Sequence, residues 1–204
     1  MSESSLTRGR YDRIAPIYDA VDWVMELWYR GWRRALWEQV PGGRILEVGV
    51  GTGKNLPYHR ADHQATGVDL SPKMLERARR RAGVLDSTAE LIQADVQELP
   101  FEDDTFDVAC ATFVFCSVPD PVRGLEEVRR VVRPGGSVFL LEHVLSHHAV
   151  LAPLMKLADP LPLHIWGAHI DRDTVSNVRA AGFRDVQVSP KLLDIFLEIR
   201  ARAD

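Results

Sequence analysis

Apolar residues recur at intervals of three and four along the first stretch of the chain: Ile14, Ile17, Val21, Val24, Trp28, Trp32 and Leu36. That spacing traces one face of an α-helix, so residues 11–40 read as helical. Pro16 is expected to separate a short first helix from the next, since proline suits a first turn and harms an interior. Gly31 is a second candidate break. From Arg44 onward the pattern changes to short apolar runs rich in β-formers, bounded by Gly, Pro and Asp. These runs predict strands at 45–48, 65–70, 89–94, 106–114 and 137–144. Between them, Met74, Leu75 and Ala78 mark one helical stripe, and Val122, Leu125, Val128 and Val132 mark another within 119–133. Strands alternating with helices predict an α/β fold, a parallel sheet covered on both faces. The tail departs from this alternation. Residues 147–162 form an apolar, proline-interrupted insert. Residues 172–181 read as a helix stopped by Gly182, and 183–189 with 192–199 as a closing antiparallel pair.

The first predicted strand runs into Gly49, Gly51 and Gly53 at alternate positions. Glycine reaches positive φ and has no Cβ, so this loop can turn tightly and let a ligand lie against its backbone. A helix is expected to start after Gly53 and point its free N–H groups at the ligand. A dinucleotide fingerprint needs G-x-G-x-x-G. Here the spacing is G-x-G-x-G, Lys54 holds the third dinucleotide position, and Glu47 precedes the first glycine by two residues. The next strand ends in Asp69, where such folds place a carboxylate on ribose hydroxyls. Its oxygens only accept, and a diol can donate to both. The third strand leads to Asp95, a candidate acceptor for an adenine amino group, with Val96 donating from its backbone. Leu70 and Met74 could sandwich the ring. Arg77, Arg79, Arg80 and Arg81 read as a solvated helix face, and Asp103 and Asp104 as turn residues.

Composition narrows the class. The 204 residues carry a net charge of −4, without the basic surplus of a general nucleic-acid binder. Cys110 and Cys116 lie in one apolar stretch and read as small buried hydrophobes. The N-terminus lacks the apolar core of a signal peptide, and no apolar run approaches the ~20 residues of a membrane span. A cytoplasmic protein is expected, with contact at the inner face of a membrane left open. Trp23, Trp28, Trp32 and Trp37 alternate with Arg30, Arg33 and Arg34. Such a segment suits a membrane–water interface. It equally suits a helix packed on the sheet, or a lid whose outer rim touches lipid. The seven histidines show no metal-ligand spacing, so no metal is expected.

The blocks ILEVGVGTG, GVDLSPKML, ADVQELPFEDDTFDVA and EVRRVVRPGG stand in an order that resembles the class I S-adenosylmethionine (SAM) methyltransferases of the ubiquinone/menaquinone-biosynthesis type. A closer resemblance, carried by LEVGVGTGKNLPYH, ATFVFCSVPDPVRGL, LLEHV and HIDRDTVSNVRAAGF, is to bacterial phospholipid N-methyltransferases acting on phosphatidylethanolamine. It implies a Rossmann-like fold with a mostly parallel seven-stranded sheet, an N-terminal helical lid over 1–40 and a methyltransferase domain over 41–204. It implies SAM as cofactor and S-adenosylhomocysteine as product. The implied cofactor residues are Tyr18, Glu47, Gly49, Gly51, Gly53, Asn55, Asp69, Leu70, Met74, Asp95, Val96 and Thr112. The third of these closer blocks has His143 where relatives commonly have phenylalanine.

Methyl transfer from a sulfonium is an in-line displacement that needs alignment and exclusion of water. An amine acceptor must also lose a proton, for which Tyr18, Glu142 and His143 are candidates. His143 fits an ordinary strand position equally well. Trp28, His164, His169 and Arg172 are candidates for the acceptor pocket, Arg172 through paired donors to a lipid phosphate or else as a helix-start ion pair. His147 and His148 read as surface residues. The expected acceptor is a phospholipid or small amphiphile. A quinone C- or O-methyltransferase and a non-catalytic SAM-binding protein are the alternatives.

Overall fold

A computed structural model describes residues 2–144, 146, 172–192 and 194–204. The apolar insert at 147–162 and His147, His148, His164 and His169 lie outside these residues.

The N-terminal segment is a single helix, α1 (Glu3–Gln39), capped by the Ser2 side chain accepting from the Ser5 N–H. It runs through Pro16 and Gly31 without a break, against expectation. An interior proline removes one helical hydrogen bond and costs roughly 3 kcal/mol. Anchors on either side of Pro16 offset that cost. Asp12 accepts from Ser71 Oγ at 2.6 Å, Ala15 is buried, and Asp19 accepts from Thr52 Oγ1 at 2.7 Å and Arg77 Nη2 at 2.8 Å.

Strand β1 (Gly43–Val48) pairs in parallel with β2 (His63–Asp69) and β4 (Phe106–Thr112). Between β1 and β2 the helix expected after Gly53 shrinks to a 3-10 turn at Leu56–Tyr58. Pro57 sits in that turn, and the chain re-enters the sheet at His63. The C-terminal end of α1 takes the vacated sheet face instead. There Leu36, Trp37 and Val40 pack on Ile45, Ala65, Val108, Cys110, Phe139 and Leu141.

Helix α2 (Pro72–Val84), capped by Ser71, leads to β3 (Glu90–Gln93). Helix α3 (Pro121–Val131), capped by Asp120, leads to β5 (Val132–His143). β5 begins before the Pro-Gly-Gly expected to precede it, and the register slips between the Phe106 and Val108 pairings to absorb those residues. Helix α4 (Thr174–Ala180), β6 (Arg184–Lys191) and β7 (Phe196–Arg202) complete the order β3-β2-β1-β4-β5-β7-β6. Only β7 runs against the rest. It enters between β5 and β6, so the closing hairpin extends the sheet. Strand alternation sends Leu46, Val48, Ala109, Ala111, Val138 and Leu140 to the face covered by α3 and α4.

At the end of β5, the fully buried Glu142 braces the loop after β4. Its Oε1 accepts from the backbone N–H of Val114 at 3.0 Å and of Phe115 at 3.2 Å. Burial pushes the carboxyl up to about 7, against these stabilising donors. A pKa raised on folding means that the folded state holds the proton more tightly. Stability from this group is therefore complete below the usual carboxylate range and is lost as pH rises through about 7. The penalty is at most about 3 kcal/mol. Glu142→Gln keeps the acceptor and removes the ionisation. The variant is expected to be more stable than the parent at pH 8, with the gap closing toward pH 5, as read from urea midpoints at the two pH values.

Candidate active site

The parallel strands β3, β2, β1 and β4 end on the same edge of the sheet, the usual ligand edge of an open α/β fold. A cleft opens there, about 900 Å³ with the open solvent at its mouth included. Its floor is the loop after β1, with Gly49, Gly51 and Asn55. Its walls carry Asp69 and Leu70 from β2 and the turn after it, Met74 from α2, Asp95 and Val96 after β3, and Thr112 to Val114 at the end of β4. Its roof is α1, which contributes Thr7, Tyr11, Tyr18 and Arg33.

Asp69 accepts from Gly51 N at 2.9 Å and from Ser71 N at 2.8 Å. Burial lifts its pKa to about 6, helped by the nearby Asp12 and Glu47 and opposed by those two N–H donors. Asp95 accepts from Gln97 N at 2.9 Å, which holds the carboxylate against the loop. Tyr11 hydrogen-bonds Ser117 Oγ at 2.6 Å, and burial drives its hydroxyl well above the ordinary tyrosine value. The Tyr18 ring lies 5.2 Å from Lys54 Nζ.

Two glycine-loop residues named from sequence stand behind the cavity wall. Glu47 is fully buried and accepts from Asn55 Nδ2 at 2.8 Å, with His59 Nε2 at 3.0 Å. Gly53 packs on Leu56 and the α2 backbone at Ala78. Both shape the loop from beneath.

Other candidates fall elsewhere. His143 lies on β5, one strand beyond β4, with its ring edge-on to Phe196 at 4.9 Å. Its register partner is Phe196 of β7, which draws it toward the aromatic group of Tyr29, Trp32 and Phe113 and out of the cavity. Glu142, also weighed as a base, is the loop brace described above. Trp28 is 62% exposed on the outer side of α1. Five residues from Arg33 turn a helix by about 140°, so the two cannot share a face. Arg172 donates from Nη2 to the Val118 carbonyl at 3.2 Å and so props the cavity wall from behind.

Sequence reasoning expected a helical lid carrying Tyr18 but did not place Tyr11, Asp12, Asp19 or Arg33 on its inner side. Tyr11-Asp12 and Tyr18-Asp19 repeat at a spacing of seven, two helical turns, which places both pairs on one side. Asp12 holds Ser71, and Asp19 binds Thr52, Arg77 and Arg81. Burial raises the Asp19 carboxyl, but the arginines, Thr52 and Lys54 overcome this and hold it below the usual range. Arg77 and Arg81 are therefore bound to the roof rather than solvated.

Residues 46–140 match the methyltransferase domain family. The chain is 44% identical over 117 residues to a phosphatidylethanolamine N-methyltransferase of Cereibacter sphaeroides, a match covering 56% of this chain and 58% of that protein. It is 32% identical over 206 aligned positions to a demethylmenaquinone methyltransferase of Clavibacter sepedonicus, covering 87% of this chain and 82% of that one. Among solved structures, a SAM-dependent methyltransferase of Thermotoga maritima, described as a possible histamine N-methyltransferase, superposes with a TM-score of 0.76. It is 23% identical and covers 97% of this chain and 100% of that one, which shows a shared fold. The chain belongs to the class I SAM-dependent methyltransferases. The cavity fits the family's cofactor in kind: its lining residues come from four strand ends, with carboxylates at two of them and glycine backbone on the floor.

The loop glycines differ in what a methyl group would meet. At Gly53 (φ +80°) a Cβ would come within 2.7 Å of Leu56 Cδ1 and 3.2 Å of Ala78 Cα. At Gly51 (φ +56°) the nearest atom is 3.9 Å away. Gly51→Ala should lose only the left-handed backbone cost of about 1 kcal/mol. Gly53→Ala should lose a further ~1–3 kcal/mol from overpacking. Chemical denaturation of the two variants checks the order.

Proposed function

We propose that this chain transfers methyl groups from SAM to the amine of phosphatidylethanolamine and of its methylated intermediates, toward phosphatidylcholine, at a membrane surface. The observation that carries the reading is the two-sided character of α1. Its inner side roofs the cavity with Tyr11, Tyr18 and Arg33. Its outer side exposes Ile17, Trp23, Leu27 and Trp28, at 56%, 61%, 68% and 62%. Exposed Arg13, Arg30 and Arg34 flank them. Isolated apolar residues on a surface are ordinary, but a tryptophan–leucine ridge among arginines suits the interface of an anionic bilayer. Among the described residues no helix is long and apolar enough to cross a membrane, so the proposed contact is a surface one. Similarity to the Cereibacter phosphatidylethanolamine enzyme supports the acceptor class.

In this reading Asp69 accepts from the ribose hydroxyls and Asp95 from the adenine amino group, with Val96 N–H donating to the ring. Leu70 and Met74 flank the base, and the backbone at Gly49 and Gly51 lies along the cofactor. Tyr18, Asn55 and Thr112 stand toward its methionine end. Bound SAM supplies an electrophilic methyl on an activated leaving group. The residues of the chain orient the two reactants and exclude water, and alignment of this kind is worth several kcal/mol. The longer match to the Clavibacter quinone enzyme supports a second reading, a C- or O-methyltransferase for a quinone or similar amphiphile.

Labelled SAM with anionic vesicles containing phosphatidylethanolamine should give mono-, di- and trimethylated lipid. Product from a demethylquinone and none from the lipid selects the second reading. SAM binding without product from either acceptor marks a non-catalytic protein. Replacing Trp23, Leu27 and Trp28 together with Ala is expected to reduce vesicle cosedimentation several-fold and leave S-adenosylhomocysteine affinity within about twofold. Asp69 has its pKa near 6, and only the ionised form offers both oxygens as charged acceptors to the two ribose hydroxyls. Affinity for S-adenosylhomocysteine should therefore fall about tenfold from pH 7 to pH 5, read by calorimetry. A flat profile removes Asp69 from the ribose site.

A further inference from the structure

The chain leaves β4 through a strained aromatic residue. Among the described residues six besides glycine have positive φ, and four of those are aspartates, which tolerate that region. Of the two bulky ones, Leu192 follows β6 in the closing hairpin. Phe113, at φ +60°, comes directly after β4 and lines the cavity. Glycine would escape the backbone cost that phenylalanine bears there.

The strain is held from both sides. The Phe113 N–H donates to the Leu141 carbonyl at 2.8 Å. Thr112, before it, accepts from Arg33 and Asn55. Val114 and Phe115, after it, donate to Glu142. Four successive residues are thus pinned, and a disfavoured φ persists only under such constraint. What the conformation secures is the place of one ring. That ring lies 4.6 Å from Tyr29 and 6.0 Å from Phe196, and Trp32 lies 5.3 Å from Phe196. Trp32 follows the exposed Trp28 by four residues on α1, so aromatic side chains succeed one another from the outer ridge to the cavity lining.

The strand order sets which reactant meets Phe113. Asp95 and Asp69 assign adenosine to the ends of β3 and β2, and β4 lies beyond β1 on the same edge. In-line displacement needs the acceptor on the side of the methyl carbon away from the sulfur. With the cofactor laid from β3 toward β1, the room left for the acceptor is at the end of β4. On the methyl-transfer reading above, we propose that Phe113 determines acceptor specificity. Its ring is the apolar wall against which the attacking amine of an amphiphile is placed, and its bulk limits how many methyl groups that amine can already carry.

The test compares two acceptors, phosphatidylethanolamine and its N,N-dimethyl form, in vesicles of otherwise equal composition. The ratio of their kcat/KM values does not depend on the fraction of protein that folds. Phe113→Gly suits φ +60° and removes the ring. It is expected to move the ratio about tenfold toward the dimethylated lipid and to leave S-adenosylhomocysteine affinity within about twofold. Phe113→Leu keeps an apolar side chain and should move the ratio about threefold the same way, which covers poor folding of the glycine variant. A ratio that stays put or moves the other way overturns the proposal, as does a loss of S-adenosylhomocysteine affinity that matches the loss of turnover. A parent protein that methylates a demethylquinone and neither lipid overturns the phospholipid reading instead. The ratio between demethylquinones with and without a substituent beside the reacting carbon then decides Phe113. A parent that methylates none of these overturns both.

Discussion

A carboxylate withdrawn from water must find donors, and Glu47 is fully buried at the end of β1. Its partners determine the architecture above the sheet. Asn55 gives its amide N–H to Glu47, so its carbonyl oxygen is left to accept from Arg33. Asn55 also donates to Thr112 Oγ1 at 3.0 Å, and Arg33 reaches the same hydroxyl. Strand β1, the glycine loop, the end of β4 and the roof helix are thereby fastened at one point. His59, on the other Glu47 oxygen, stacks at 4.5 Å from Trp37, the residue that seats the end of α1 on the sheet. Removing any one member leaves a buried polar group short of a partner, which costs more than the bond itself contributes.

The same constraint accounts for the unusual pattern of α1. A helix on a protein surface ordinarily turns its apolar side inward. Among the described residues, α1 buries its large apolar side chains where it meets the sheet, at Leu36 and Trp37. Over the cavity its inner side is Thr7, Tyr11, Tyr18 and Arg33, because that side faces polar groups and the space for a charged ligand. Four large apolar residues of this part, Ile17, Trp23, Leu27 and Trp28, are left outside. One helix thus follows two environments in succession, core and cavity, and its hydrophobic stripe changes sides between them.

This change limits what could be read from sequence. Period-2 and short apolar runs located every strand of the parallel region, because a strand buried on both faces leaves little alternative. The acids Asp69 and Asp95 were legible because strand ends determine where a terminal side chain goes. The helical period of α1 was legible too, but its inward face was not: periodicity reports a stripe, not what the stripe meets. Trp32 and Trp37 pack inside while Trp23 and Trp28 lie outside, so the reading of a helix packed on the sheet holds for Trp32 and Trp37 only. The Tyr-Asp pairs at 11–12 and 18–19 carried the missing signal. Pro16 misled because a local preference gave way to tertiary anchors on both sides. The helix after Gly53 failed for the opposite reason, since its place on the sheet was already taken by α1.

The cavity also bears on how an amine could lose its proton. The titratable side chains that line it are Tyr11, Tyr18, Arg33, Lys54, Asp69 and Asp95. Burial holds the Tyr11 hydroxyl protonated, and Arg33 and Lys54 are already paired with acids. Asp69 and Asp95 hold backbone N–H groups on the cofactor side. Glu142, buried with a pKa near 7, would have the right basicity, but it spends its acceptor on the loop backbone behind the wall. Among the described residues, the titratable groups in the cavity other than Tyr18 are thus committed to structure or to ligand. That arrangement suits a reaction whose leaving group is activated beforehand, where the work of the protein is alignment. Under the phospholipid reading proposed above, an amine entering from a bilayer releases its proton to water at the interface before it reaches the strand ends. The polar roof and the exposed apolar ridge of α1 would then serve the same step from opposite sides: one positions the methyl donor, the other brings the acceptor to the mouth.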